Sequence, residues 1–301
     1  MAAKAFIITA FLSIGCLLNA QASPDNLLHK SYAVQFFTID SIYSHMNGQD
    51  SAYVFNETTA LEKLADDNGD KQLKYALKLK EYSYLLRWWG KQLEKAKIEN
   101  ELPGLIKELE ENKMPELQAQ GLEIMADYYW RNPKTFSKGF ELSLDAYNIY
   151  SRFTPGQFPQ KYSYLYDLGL CYYRFKDYAT ALPIFLETKN TETKILRPTT
   201  ADLLNTIGLC YRRSGVYDSA ERYFLDAYSL SKHNKQKVWI GITGGNLGIT
   251  YYLEKRYKEA IPLLEEDIET GLAHNKLNNN SAKSIAVLGD VYLELNDKKR
   301  A

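Results

Sequence analysis

Apolar side chains return every three or four positions along most of this chain, the spacing that puts one stripe of a helix against a core. In the second half that stripe carries one small pattern four times. The copies are Leu168-Gly169-Leu170-Cys171-Tyr172, Ile207-Gly208-Leu209-Cys210-Tyr211, Leu247-Gly248-Ile249-Thr250-Tyr251 and Leu288-Gly289-Asp290-Val291-Tyr292. Their glycines are 39, 40 and 41 residues apart. A period in that range signals stacked helical repeats, not a single closed globule. Such a stack offers an extended binding surface and no obvious reaction centre.

Each copy continues in register. Tyr178, Tyr217 and Tyr257 stand nine residues after the glycine; Ala181, Ala220 and Ala260 stand twelve after it. Sixteen after it come Phe185, Phe224 and Leu264. The spacing predicts a hairpin of two helices in which Gly169, Gly208 or Gly248 faces the alanine of the second helix. Helix axes approach closely only where the facing side chains are small. A glycine inside a helix costs about 1 kcal/mol relative to alanine, so four in register, Gly289 included, argue for a packing requirement. Asp177 and Asp218 stand where second helices should begin, suited to capping or first-turn roles. Pro183 and Pro262 share one offset from the glycine and should bend those helices slightly.

This pattern resembles the tetratricopeptide repeat, whose signature runs Leu-Gly, then Tyr, then Ala and Phe in the second helix. Three repeats match, at about 162–195, 201–235 and 241–275, and a fourth begins at 282 and reaches Ala301 without a second helix. An earlier, degenerate copy is expected at 119–155, with Met125-Ala126 for Leu-Gly, Tyr129 after it, and one inserted residue placing Gly139 at the alanine position. The resemblance implies an all-α fold, a right-handed superhelical solenoid of antiparallel helix pairs. It also implies a protein or peptide ligand held on the concave face. Carried over position by position, that face comprises Tyr166, Tyr173 and Arg174 in one repeat, then Asn205, Arg212 and Arg213, then Ile249 and Tyr252. Trp130 and Arg131 come from the degenerate copy. Arginine forks and rigid aromatic planes suit a ligand bearing carboxylates. The lysine-and-asparagine clamp of some family members is not matched; only Asn246 occupies one of its positions.

Composition narrows the partners. The 301 residues are 45% hydrophobic and 25% charged, with 37 basic and 37 acidic side chains, so no electrostatic footprint for nucleic acid is present. Residues 1–22 read as a signal peptide: Lys4, the apolar stretch Ala5 to Leu18, and Ala20-Gln21-Ala22 before a cleavage point at Ser23. Gly15-Cys16 leaves a second route open, lipidation at Cys16. Ser13 and Leu17-Leu18 depart from a lipidation junction. The mature chain is expected to be exported, periplasmic or envelope-associated, with no membrane span.

Residues 23–118 also read as helical, as diverged repeats preceding those of 119–301. Leu73, Leu77, Tyr84, Leu85 and Trp88 keep helical spacing, Asn68-Gly69-Asp70 marks a boundary, and further helices fit 26–47 and 54–66. Pro103 fits the first turn of a short helix, Leu102 to Glu111. Trp88-Trp89 reads as core.

No catalytic constellation is visible. His29, His45, His233 and His274 are scattered without metal-ligand spacing, and the glycine-rich run Gly241 to Gly248 lacks the ending of a phosphate loop. Glu108, Glu110, Glu111, Glu265 and Glu266 read as solvated faces. Cys171 and Cys210 read as small buried residues, since equivalent positions in stacked repeats lie about 8–10 Å apart, too far for a disulfide. The expectation is therefore a non-enzymatic scaffold without cofactor or metal. It would serve as the input part of a signalling system or, alternatively, as an envelope assembly lipoprotein anchored at Cys16. A partner or a downstream domain would cover the last helix.

Overall fold

The computed structural model describes residues 27–46, 51–88, 91–190, 200–273 and 279–301. Residues 1–26 with Cys16, Trp89 and His274 lie outside the described residues. Among those described are thirteen α-helices and one short 3-10 turn, with no strand. They fall into two compact units, one ending at Tyr164 and one beginning at Leu165.

The first unit holds α1 (Tyr32–His45), α2 (Ser51–Asp67), α3 (Lys71–Trp88), α4 (Lys91–Glu111), α5 (Pro115–Trp130) and α6 (Phe136–Tyr150). Asp70 marks the expected boundary between α2 and α3. Its Oδ1 accepts from the Leu73 amide at 3.0 Å, capping α3, while Oδ2 accepts from the His29 amide and from Gln35 Nε2. One buried carboxylate thus ties the segment before α1 to the start of α3. Leu73, Leu77, Tyr84 and Leu85 are buried as their spacing predicts. The helix at Pro103 is longer than expected: α4 starts at Lys91, and proline sits in its interior. Ile98, Leu102, Leu105 and Leu109 form one buried stripe through it. Burial of about 1.5–3 kcal/mol per large side chain outweighs the backbone bond that proline removes.

In the pair α5 and α6, the residues of the degenerate copy lie against one another. Ala126 is fully buried, and a Cβ added to Gly139 would lie 3.0 Å from the Ala126 carbonyl oxygen. At the position of the bulky residue stands Ser143, whose hydroxyl donates to Glu123 Oε2 at 3.1 Å. Where the first helix gains a methyl, the second gives up a ring.

The second unit takes in most of α7 (Lys161–Arg174), then α8 (Tyr178–Asn190), α9 (Ala201–Arg213), α10 (Tyr217–His233), α11 (Lys237–Leu253), α12 (Tyr257–Ala273) and α13 (Asn279–Glu294). The second helices start at the tyrosines the repeat marks. Asp177 caps α8, its Oδ1 accepting from the Thr180 amide at 3.1 Å, and Asp218 lies in the first turn of α10. Ala220, Phe224, Leu247, Tyr251, Ala260, Leu264 and Val291 form a continuous buried core across α10 to α13.

The close approach in each pair differs in one respect from the expectation. A Cβ on Gly169 would meet the Phe185 ring at 2.6 Å, and one on Gly208 the Phe224 ring at 2.7 Å. The bulky residue, not the alanine, is what occupies the space a side chain would need. At Gly248, where leucine replaces phenylalanine, the near atoms are Leu264 Cγ at 3.0 Å, the Ala260 carbonyl at 3.1 Å and Leu263 Cβ at 3.2 Å. Ala181, Ala220 and Ala260 are themselves fully buried.

The turns inside the pairs are one structure repeated. Lys176, Gly215, Lys255 and Asn296, each seven residues after the repeat glycine, have φ of +63°, +77°, +62° and +60°. Behind each, an amide donates back to the carbonyl of the repeat tyrosine: Asp177 to Tyr172, Val216 to Tyr211, Arg256 to Tyr251 and Asp297 to Tyr292. This is the left-handed helix stop that satisfies terminal carbonyls. It fixes the direction in which every second helix leaves.

Gly208 and Gly289 separate packing from propensity. Gly208→Ala forces a methyl into the Phe224 ring and should cost about 1–3 kcal/mol of overpacking, less the helix gain. At Gly289 the nearest atom is the Ala301 oxygen at 3.6 Å, ordinary contact. Gly289→Ala should therefore gain up to about 1 kcal/mol. Urea unfolding of both variants is expected to give opposite signs.

Candidate partner-binding face

The first helices of the second unit lie side by side: α9 packs on α11, and α11 on α13. A polar seam joins them. Arg212 on α9 donates through Nη1 to the Asn246 carbonyl at 2.7 Å and through Nη2 to Asn246 Oδ1 at 2.9 Å. Asn246 on α11 in turn donates from Nδ2 to Asn205 Oδ1 at 2.9 Å. Asn205 and Asn246 are buried, and Arg212 is half-buried with its guanidinium carbon 5.1 Å from the centre of the Phe224 ring. Burial, and after it the neighbouring Arg213 charge, pull the Arg212 pKa down to about 10. A second polar contact runs from α7 to α9, where the Tyr166 hydroxyl lies 3.4 Å from Thr206 Oγ1. Burial raises the Tyr166 phenol pKa.

The remaining sequence-derived candidates of this unit lie toward solvent. Arg174 and Arg213 are exposed, and Tyr173, Ile249 and Tyr252 are half-buried. Tyr173 packs its ring 5.3 Å from Tyr178 and is hydrogen-bonded to Arg213; Tyr252 sits 6.1 Å from Tyr257. The structure thus splits the set in two. Asn205 and Arg212 are buried or half-buried between neighbouring repeats, whereas Arg174 and Arg213 are exposed, Arg213 reaching back to Tyr173 on α7.

Trp130 and Arg131 belong to the first unit. Trp130 is half-buried with its ring 5.0 Å from Phe136, and its Cδ1 would stand 3.2 Å from a Cβ on Gly139. Arg131 is exposed and pairs with Asp127 at 3.1 Å, one turn away on the same helix end.

Several features of the second unit were missed in the sequence. Leu253 is 42% exposed and stands five residues after its glycine, the register of Arg174 and Arg213. Alignment by the glycine alone would have found it. Asp267 on α12 is buried and accepts from Ser284 Oγ at 2.6 Å and Ser281 Oγ at 3.3 Å. A Cβ on Gly245 would lie 2.4 Å from its Oδ2, and one on Gly241 would press on Thr270. The glycine-rich run is therefore a packing face of α11, and the second glycine of the Gly244-Gly245 pair was its signal. Cys171 and Cys210 are buried and form no disulfide, and burial pushes the Cys210 thiol up to about 12. Among the described residues no group of three histidine, cysteine or acidic side chains could hold a metal, and no helix is long and apolar enough to cross a membrane.

A sequence profile for the tetratricopeptide repeat matches residues 160–233 and, overlapping, 199–269. Residues 160–269 are tetratricopeptide repeats. Among solved structures the apo form of RapI is similar over 86% of this chain and 71% of its own, with a TM-score of 0.57 and 17% identity. BtubC from P. vanneervenii is similar over 70% of this chain and 87% of its own, with a TM-score of 0.51 and 14% identity. At such identities the likeness concerns the fold. No curated protein matches the chain. Tetratricopeptide stacking accounts for the adjacency of α9, α11 and α13, and with it for the seam.

The two roles within the tetratricopeptide face are separable. Asn246→Ala leaves Asn205 Oδ1 and one arm of Arg212 without their partner and should cost about 1–3 kcal/mol. Arg213→Ala removes an exposed side chain and its bond to the half-buried Tyr173 and should cost less, about 0.5 kcal/mol. Chemical denaturation of the two variants checks this.

Proposed function

We propose that the chain is an exported tetratricopeptide scaffold that captures a protein or peptide partner along the first-helix face of its second unit. The observation that carries this is the exposed row of Arg174, Arg213 and Leu253, the last two on helices joined by the seam beneath them. Guanidinium forks and partly exposed apolar and aromatic side chains are the groups that anchor protein interfaces. On this reading the chain acts by binding, without a reaction of its own and without a cofactor. Capture of the partner would serve as the input to a signalling system. Ile285 and Leu293 on α13 are 45% and 57% exposed, apolar surface that suits a partner or a downstream domain.

Export is supported by Lys4, the apolar run Ala5 to Leu18 and Ala20-Gln21-Ala22, which give a mature start at Ser23. Gly15-Cys16 supports the second reading, an envelope assembly lipoprotein held by an acyl chain on Cys16.

A photo-crosslinking amino acid placed at Arg213 or Leu253 in cells should give one defined adduct. The same group at the exposed Lys258 of α12 should give none. Labelling that is equal at the three positions, or missing from the first two, contradicts partner capture by this face. Mass spectrometry of the mature N-terminus decides between Ser23 and acylated Cys16.

A further inference from the structure

Of the large apolar side chains that stand exposed among the described residues, five of eleven fall at one edge of the second unit. They are Phe175, Val216, Leu253, Leu293 and Leu295, each between 41% and 57% exposed. All five lie in or beside the left-handed stop that joins the two helices of a pair. The pairs stack through Tyr166 against Thr206, α9 on α11 and α11 on α13, so the four turns line one edge. The charges of these turns divide by sign. Lys176, Lys255 and Lys298 are exposed and make no ion pair among the described residues. The carboxylates beside them are engaged: Asp177 with the Thr180 amide, Glu254 with Arg256, Glu294 with the Tyr257 hydroxyl and Asp297 with Arg300.

We propose that this edge docks on a bilayer surface that carries anionic lipid headgroups. The complement follows from charge and from shape. Apolar tips enter the boundary between headgroups and acyl chains, and binding there grows with apolar area and with attraction to anionic lipid. Each lysine near such a surface strengthens that attraction. Its stem can lie along the apolar tips while the ammonium group reaches a phosphate. The tips are separate side chains on separate turns, about 8–10 Å apart where neighbouring helices set the spacing. Between them stand Ser214, Gly215 and Asn296, so they form no continuous apolar groove for a shape-matched protein. A fluid surface accepts isolated tips without such a match. The contact is peripheral, because no described helix is long and apolar enough to cross a membrane.

The test is co-flotation of the mature chain, from Ser23, so that the apolar run Ala5 to Leu18 does not itself bind lipid. The vesicles are phosphatidylcholine alone or mixed with an equal part of phosphatidylglycerol. The parent should bind the mixed vesicles about tenfold more tightly than the neutral ones, and less tightly as salt is raised. Lys176→Glu combined with Lys255→Glu should weaken that binding about tenfold or more. Val216→Ser combined with Leu295→Ser should weaken it at unchanged charge. Both double variants should keep the parent's melting temperature. Lys235→Glu combined with Val238→Ser, at the connection between repeats on the opposite edge, should bind as the parent does. A parent that does not float, equal binding to both kinds of vesicle, or turn variants that bind like the parent overturn the inference. So does an opposite-edge variant that weakens binding as much as the turn variants. A photo-crosslinker at Val216 that labels a protein and no lipid in cells also overturns it, and assigns the edge to a protein.

Discussion

The constraint on which the second unit depends is the contact between a helix with no side chain and a ring that needs the vacated space. Phe185 against Gly169 and Phe224 against Gly208 leave no room for even a methyl group. The contact sets how near the two helices of a pair come. With the left-handed stop seven residues later, it also sets the angle at which they diverge. The α5 and α6 pair shows the same volume divided differently, with Ala126 facing Gly139 and Ser143 where a ring would stand. Total volume across the interface is kept while its distribution changes, as close packing demands.

From that contact a series of interactions runs outward to the first-helix face. Phe224 fills the cup at Gly208 and also lies beneath the guanidinium of Arg212. Arg212 then reaches Asn246 on the next first helix, and Asn246 reaches back to Asn205. The core of one pair is thus joined to the alignment of the next by three consecutive contacts. Arg213, one residue further, is exposed and bonds Tyr173 on the preceding first helix. Rigid support under an exposed cation lowers the ordering cost of any contact that it makes.

Much of the second unit was legible because its signals are local and repeated. Tyr178, Tyr217 and Tyr257 marked helix starts, and the fully buried alanines marked their inner faces. What the repeat could not reveal was which of two partners the glycine serves, since alanine and phenylalanine share a helix face and only geometry tells them apart. The proline at 103 misled because its local preference for a first turn is weaker than the burial of Ile98, Leu102, Leu105 and Leu109 around it. Arg212 and Asn205 were recognised as residues of the face, but their bond through Asn246 spans more than thirty residues and has no sequence signature. Leu253 was overlooked because it lacks the charge and aromaticity that drew attention to its equivalents. In the first unit the carboxylate of Asp70 announced a helix start, yet its bonds to His29 and Gln35 could not be foreseen.

The central claim is that glycine and the residue sixteen positions later act as one packing unit. A double-mutant cycle at Gly208→Ala and Phe224→Leu measures this directly by urea unfolding. The account predicts that the two changes partly compensate, with a coupling of about 1 kcal/mol or more, within the range seen for residues in contact. Strictly additive effects would contradict it.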